Sequence, residues 1–240
     1  METKKRVLLS ATALMIGATT FAQNNDSHVD QNGQTQQATV TQTGLDNNSD
    51  VLQIGAFNTA TVTQDGSDNV SNVEHDGSQP FKVKTNEATI VQTGDRNYSF
   101  ARSQDGADNV ITTTSTGNDD VAYVKQIGDS NISNIDQQGN GNYAKSTVTF
   151  SDDNESYIIQ DGNANDTQTA QRGGGFNESS VTTIGNLNTA ITSQNGNNNQ
   201  STVNQTGNLN LSDVSQLGMS HVNTINQTGN NNSSVVTQSN

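Results

Sequence analysis

Side chains able to do covalent or metal chemistry are scarce and scattered. The sequence has no cysteine and three histidines, His28, His75 and His221, none near another. Two acidic pairs occur, Asp119-Asp120 and Asp152-Asp153. A hydrolase built on carboxylates needs two of them held close with separated acidities, whereas both pairs fall at or beside segments that read as turns, where Asp bonds to its own backbone. Gly173-Gly174-Gly175 lacks the lysine and helix of a phosphate-binding loop, and the calcium-binding glycine–aspartate nonapeptide is absent. The expectation is no active site, no metal and no cofactor. What does recur at fixed spacing is the primary amide, a paired hydrogen-bond donor and acceptor. Glutamines fall every 11 residues at Gln31, Gln42, Gln53 and Gln64, and again at Gln194, Gln205, Gln216, Gln227 and Gln238.

Aligned on these, the unit reads N-x-[A/S]-x-[V/I]-x-Q-x-G-x-x. Clear copies are Asn47-Ser49-Val51-Gln53-Gly55, Asn58-Ala60-Val62-Gln64-Gly66 and Asn210-Ser212-Val214-Gln216-Gly218. The middle is degenerate. His75, Ser115, Thr149 and Thr183 are assigned to the glutamine position, Gln104 also, His221 to the asparagine position, and Ser151 to a glycine. One-residue insertions are read between Gln92 and Gln104, Gln137 and Thr149, and Gln171 and Thr183. A larger one, 77–85, carries Pro80, Phe81, Lys82 and Lys84.

Asn, Ala/Ser, Val/Ile and Gln at alternate positions have the period of a β-strand, so all four face one way. Glycine and two polar residues then make a turn. One strand cannot bury its inner face alone, so two units are expected to form a 22-residue rung with strands facing across a thin core. The fold class predicted is all-β, a β-solenoid of about nine such rungs (strand-turn-strand) with cross-β stacking, in which Asn stacks on Asn and Gln on Gln. The predicted self-assembly ladder comprises Gln42, Asn47, Gln53, Asn58, Gln64, Gln194, Asn199, Gln205, Asn210, Gln216, Gln227, Asn232, Val236 and Gln238.

Composition fits this better than a globular core. Only 28% of residues are apolar and 4% aromatic, against about 45–50% apolar in ordinary domains. The excess is in uncharged polar residues with a single proline, Pro80, which favours β-stacking over disorder. A net charge of −14 with only ten basic residues gives no footprint for nucleic acid. Residues 1–22 read as a signal peptide, with basic Lys4, Lys5 and Arg6, an apolar run from Val7 to Ala18 and cleavage after Ala22. Residues 23–30 are then an N-terminal segment, and 31–240 the repeat solenoid with its insertion at 77–85. Nothing after Ala22 is apolar enough to insert in a membrane, and the final copy, Asn232-Ser234-Val236-Gln238, reads as an open edge with few charges that another chain could extend.

The unit Q-x-G-x-x-N-x-[A/S]-x-[V/I]-x-Q resembles the curlin repeat of bacterial curli subunits, across essentially all of Gln31–Gln238. That resemblance implies a secreted, self-polymerising subunit of extracellular, cell-surface amyloid fibres for biofilm matrix and adhesion. It implies as partners further copies of the chain, a nucleator subunit and an outer-membrane curli export pore. Clean late units favour the major, fibre-forming subunit. Nine double repeats exceed the family's usual five. The rival reading is a monomeric ice- or glycan-binding solenoid, for which Thr39/Thr41, Thr61/Thr63, Thr147/Thr149 and Thr167/Thr169 are candidates, with neighbouring rungs expected to break the array. Two outer features stand beside these. Tyr98, Phe100, Tyr123, Tyr143 and Tyr157 point outward on central units, as a contact stripe or as ordinary surface aromatics. Asp46, Asp65, Asp95, Asp105, Asp129 and Asp161 sit in or next to turns, as aggregation gatekeepers or by turn preference alone.

Overall fold

The computed structural model describes residues 24–77 and 85–240. The expected signal peptide and most of the 77–85 insertion lie outside the described residues. Within them the chain forms 19 strands and no helix. Odd-numbered strands make one parallel sheet, in order β1 (Asp26–Gln34), β3 (Asn48–Ala56), β5 (Val70–Asp76), β7 (Tyr98–Gln104), β9 (Val121–Ile127), β11 (Tyr143–Thr149), β13 (Asp166–Arg172), β15 (Thr189–Asn197), β17 (Leu211–Met219) and β19 (Ser233–Ser239). The even strands make the facing sheet: β2 (Gln37–Leu45), β4 (Thr59–Ser67), β6 (Glu87–Thr93), β8 (Val110–Asn118), β10 (Ile132–Asn140), β12 (Glu155–Asn163), β14 (Glu178–Ile184), β16 (Gln200–Thr206) and β18 (Val222–Thr228). Each strand pairs with the strand two places on, one rung along, so the chain is a β-solenoid of about nine turns.

Register follows from the unit. Val29 lies over Val51 and Gln31 over Gln53, and Val62 over Ile90 with Gln64 over Gln92 across the larger insertion. Burial alternates strictly along the strands, as in β7 and β9. The core is one column of Val, Ile and Ala between the sheets, including Val51, Val62, Ile90, Ile111, Ile135 and Ile158. A second cluster around Val181, Val203, Val214 and Ile225 continues it. Parallel sheets normally bury near-continuous apolar runs; here half the inward places are amides.

Turns are tight because glycine recurs at one place. At Gly66, φ is +133° and a Cβ would stand 2.0 Å from the Gly94 carbonyl oxygen of the next rung, so stacking at β-sheet spacing admits no side chain there.

Three placements differ from the sequence reading. The first strand starts at Asp26, inside the segment assigned to 23–30, because Asn25, Ser27, Val29, Gln31 and Gly33 form a complete unit. Gln104 and Thr149 face outward, and Ser103 and Val148, both fully buried, take the glutamine places. The extra residues of the 12-residue spacings therefore lie in turns 104–108, 149–153 and 172–176, where they leave strand register intact.

Candidate functional site: amide ladders and the open ends of the stack

Every residue of the predicted ladder faces inward. Asn47, Asn210 and Asn232 stand in one asparagine column, with Asn58 and Asn199 in its counterpart on the facing sheet. In these columns the side-chain Nδ2 donates to Oδ1 of the asparagine one rung nearer β1, at 3.2 Å from Asn47 to Asn25 and 2.9 Å from Asn232 to Asn210. The same Oδ1 accepts the backbone N–H beside that donor, 2.9 Å from Asn47 and 3.1 Å from Asn232. Nδ2 also reaches a turn carbonyl of the facing strand, as Asn47 to Gly66 at 2.9 Å and Asn210 to Gly229 at 2.9 Å. Asparagine thus ties rung to rung and staples the turn.

Glutamines run the other way. Nε2 of Gln42 donates to Oε1 of Gln64 at 2.9 Å, Gln64 to Gln92 at 2.8 Å, Gln205 to Gln227 at 2.8 Å, and Gln194 to Gln216 and Gln216 to Gln238 at 3.0 and 2.9 Å, each toward β19. Nε2 also crosses to a backbone carbonyl of the other sheet, Gln53 to Gln37 at 3.1 Å and Gln216 to Gln200 at 2.9 Å. Each such buried bond nets about 0.5–1.5 kcal/mol, and an unmade one costs more, so the columns favour one register.

The opposed polarities make the two ends unlike. At the β19 edge the Asn232 Oδ1 is an unused acceptor, while Gln238 Nε2 is a donor held on the Val222 carbonyl at 3.0 Å. At the β1 edge Gln31 Oε1 is an unused acceptor among the described residues, and Asn25 Nδ2 a donor resting on Gly44 O at 3.1 Å. Val236, partly buried, caps the apolar column at the β19 end.

Interruptions concentrate in the middle. His75 replaces a glutamine, fully buried with neither ring nitrogen hydrogen-bonded, and burial lowers its pKa to about 4. Ser103, Ser115, Val148 and Thr183 break the glutamine columns elsewhere. Asp120, read from sequence as a turn residue, instead occupies an asparagine place between Asn97 and Asn142 and is fully buried. Its Oδ1 accepts the Asn142 N–H at 2.8 Å, its Oδ2 has no partner, and burial first of all pushes its pKa up to about 6, against the opposing effect of the Asn142 hydrogen bonds. Asp119 is exposed at the turn and paired with Arg96 at 2.7 Å. His221 takes an asparagine place, with its backbone N–H on Asn199 Oδ1 at 3.1 Å; His28 is exposed on β1. The three histidines are not brought together, and among the described residues no group of three His, Asp or Glu side chains could hold a metal ion.

Sequence reasoning missed a third ladder, outside the core. Residues just after the turn glycine, Asp95, Asn118, Asn140, Asn163, Asn186, Asn208 and Asn230, each accept the N–H of the equivalent residue one rung back, for example Asn118 to Asn140 at 3.0 Å and Asn186 to Asn208 at 2.9 Å. The recurrent Gly-Asn and Gly-Asp pairs were its signal, read only as turn chemistry. Asp129 and Asp152 do the same on the opposite turn.

Residues 185–218, running from the turn after β14 through most of β17, match the family model of the curlin associated repeat. No curated protein matches the chain.

Proposed function

We propose that this curlin-repeat protein is a secreted structural subunit, not an enzyme, whose columns join end to end into an extracellular amyloid-type fibre. The observation that carries this reading is the polarity of the ladders. Asparagines donate toward β1 and glutamines toward β19, and because the odd sheet has one strand more than the even, continuing the column sets β1 of the next copy over β18 and its β2 over β19. The Asn232 acceptor then meets the Gln36 amide donor, and the Gln238 donor meets Gln42 Oε1 in the opposite sense. Among the described residues, backbone groups along β1, β2, β18 and β19 are likewise unpaired on one side, a template for strand addition. The family resemblance supports placement in a surface-attached biofilm matrix, with a nucleator subunit and an outer-membrane export pore as partners and the major-subunit role for this chain.

The test follows freshly desalted residues 23–240 by amyloid-dye fluorescence, with fibre diffraction of the product. Expected are a lag, a rise and a meridional reflection near about 4.7 Å. A β-rich monomer that never binds dye would remove the reading.

One observation favours the rival. Outward threonines on the even sheet do stay in register over four neighbouring rungs: Thr39, Thr61, Thr89 and Thr112 form one row, and Thr43, Thr93 and Thr116 part of another. Asp65 and Val91 interrupt the array, while Thr147 and Thr149 lie on the other sheet and Thr167 and Thr169 are buried. Ice shaping or glycan pull-down by dye-negative monomer, abolished by Thr61→Leu with Thr89→Leu, would establish that reading instead.

A further inference from the structure

Over the central rungs the two outer faces of the solenoid carry opposite charge, although the odd sheet also presents Asp166 on β13 and, outside that zone, Asp26, Asp30, Asp50, Glu74, Asp76 and Asp213. On the odd sheet the outward positions of β7, β9, β11 and β13 hold Arg102, Lys125, Lys145 and Arg172. Among the described residues these are all the cations except the turn residue Arg96. They stand among aromatics: Phe100 stacks on Tyr123 with centroids 4.9 Å apart, and the Lys145 ammonium lies 5.6 Å from the Tyr123 ring centroid. Tyr98 and Tyr143 flank Val121 in the next row. Arg102 is already paired with Glu74 at 3.3 Å; among the described residues Lys125 and Lys145 form no ion pair.

Among the described residues the even sheet has no lysine or arginine on any strand. Its outward positions instead hold Asp65, Glu87, Asp136, Glu155, Asp161 and Glu178, most of them on β10, β12 and β14. These strands share rungs with β9, β11 and β13, so the acidic zone lies directly behind the cationic one. Asp136 sits in a shallow groove between Thr112 and Thr114 on one side and Tyr157 and Ile159 on the other, a seat for a lysine stem whose ammonium meets the carboxylate. Tyr157, the one aromatic of the predicted stripe on this sheet, walls that groove; its hydroxyl donates to Glu155 at 2.9 Å.

We propose that a second copy of this chain docks side by side on these faces, the cationic aromatic face of one column against the acidic face of the next. The contact is heterologous, because the two patches differ, so it repeats without closing. It gathers columns into lateral sheets or bundles. Both patches lie at the same height, so neighbouring columns associate without stagger and with their stacking ends free. The inference goes beyond end-to-end growth and acts at right angles to it. Charge complementarity favours this occupant: a chain of net charge −14 repels its own copies unless its cations are concentrated where acids of another copy meet them.

The experiment uses the full mature chain in two charge-reversed forms. One has Lys125→Glu and Lys145→Glu; the other has Asp136→Lys and Glu155→Lys. Dye kinetics and circular dichroism report stacking and fold, and electron microscopy reports bundle width. Wild type is expected to form bundles that disperse as salt is raised from 0.1 to 1 M, where the screening length falls from about 10 to about 3 Å. Each reversed form alone is expected to lose bundling while stacking as wild type, and a mixture of the two is expected to regain it, since the reversed faces complement each other. Lys125→Gln with Lys145→Gln gives a milder variant, expected to bundle weakly with little salt dependence. Unchanged bundling by either reversed form, or no recovery on mixing, overturns the proposal. Loss of bundling without recovery, joined to polygalacturonate binding by wild type but not by Lys125→Glu/Lys145→Glu, assigns the face to an acidic polysaccharide instead and also overturns it. Failure to stack at all would show in the dye signal, and so separates failure of the fibre reading from failure of this one.

Discussion

Replacing Asp120 by asparagine should stabilise the column at neutral pH and do little in acid. Asp120 fills an asparagine place in which its Oδ1 does the work of the amide oxygen, while Oδ2, an acceptor with no donor facing it, stands where an asparagine Nδ2 would donate to Asn97 Oδ1. Burial pushes its pKa from 3.8 up to about 6, so the folded chain holds a proton that the unfolded chain releases. The sign follows directly. Between about pH 4 and pH 6 the native state binds more protons than the unfolded one, so stability falls as pH rises through that window and the cost is complete above about pH 6. The interval from 3.8 to about 6 corresponds to at most about 3 kcal/mol, and partial solvent screening brings the expected gain of Asp120→Asn at pH 7.5 to about 1–2 kcal/mol.

The charged groups that act on Asp120 are the adjoining Asp119 and, through its pair with Asp119, Arg96. Urea midpoints of the non-fibrillar chain at pH 4 and pH 7.5 measure the effect, with Asp119→Asn as the exposed control. His75 titrates over an overlapping range, but it is common to both chains and cancels in the difference. A variant no more stable than wild type at pH 7.5, or a gain of equal size at pH 4, would refute the argument.

Other outcomes follow from the same columns. His75→Gln should stabilise most in acid: the folded-state pKa of about 4 lies below the ordinary 6.5, so His75 costs stability as pH falls through that interval, and urea midpoints of the two chains should diverge below about pH 6. Thr183→Gln removes a hydroxyl without a partner and supplies an amide Nε2 that donates to the unpartnered Oε1 of Gln205; it should add about 1 kcal/mol, read as a higher midpoint at every pH. Gly66→Ala drives a methyl group into the Gly94 carbonyl at a positive φ and should cost several kcal/mol, at least about 2, visible as loss of β signal at low urea. Gln216→Ala with Asn232→Ala should slow elongation more than Tyr143→Ala, and Val236→Asp should impede it; equal slowing by the ladder and tyrosine variants would remove the ladder from the growth mechanism.

Much of this was legible because one period governs everything. The alternation N-x-[A/S]-x-[V/I]-x-Q assigned each inward residue wherever glutamine was present, and the glycine marked the turn. Reading failed where the glutamine was missing or displaced. Gln104 and Thr149 were taken for ladder residues because counting was anchored on side-chain type, whereas Tyr98, Phe100 and Arg102 had already used the outward phase that includes Gln104. The β1 unit was passed over although Asn25 and Val29 stood at the right places. Asp120 was lost for a related reason: aspartate is so common in turns that its place in the asparagine column, fixed by the in-register neighbours Asn97 and Asn142, carried less weight than its type. The outer ladder and the opposed charges of the two faces over the central rungs needed the third dimension, since their members are separated by 22 or 23 residues and meet only through stacking.

The defects and the clean units are not randomly mixed along the column. Intact glutamine pairs run from Gln42 to Gln92 on the even sheet and from Gln171 to Gln238 on the odd one. Ser103, Ser115, Asp120, Val148 and two of the three lengthened turns lie between, together with one intact pair, Gln137 to Gln160, while His75 on β5, Thr183 on β14 and the turn 172–176 lie beside the intact runs. A buried histidine or aspartate in the last rung would present its unmet hydrogen-bonding groups to the incoming chain, and the cost would recur at every junction. In an inner rung the same residue costs only its own column, where neighbouring rungs already fix the register. The middle is also where cations and aromatics crowd one outer face. If growth is read at the rungs near each edge and lateral contact at the middle, selection on the glutamine ladder is strict at the ends and relaxed between them, whereas the even asparagine column carries His221 beside its last strand and Gln36 beside its first. Moving a defect tests this reasoning: Gln216→His should slow elongation several-fold, whereas Gln126→His, the same change deep in the stack, should lower the urea midpoint while leaving the elongation rate of folded chains near that of wild type.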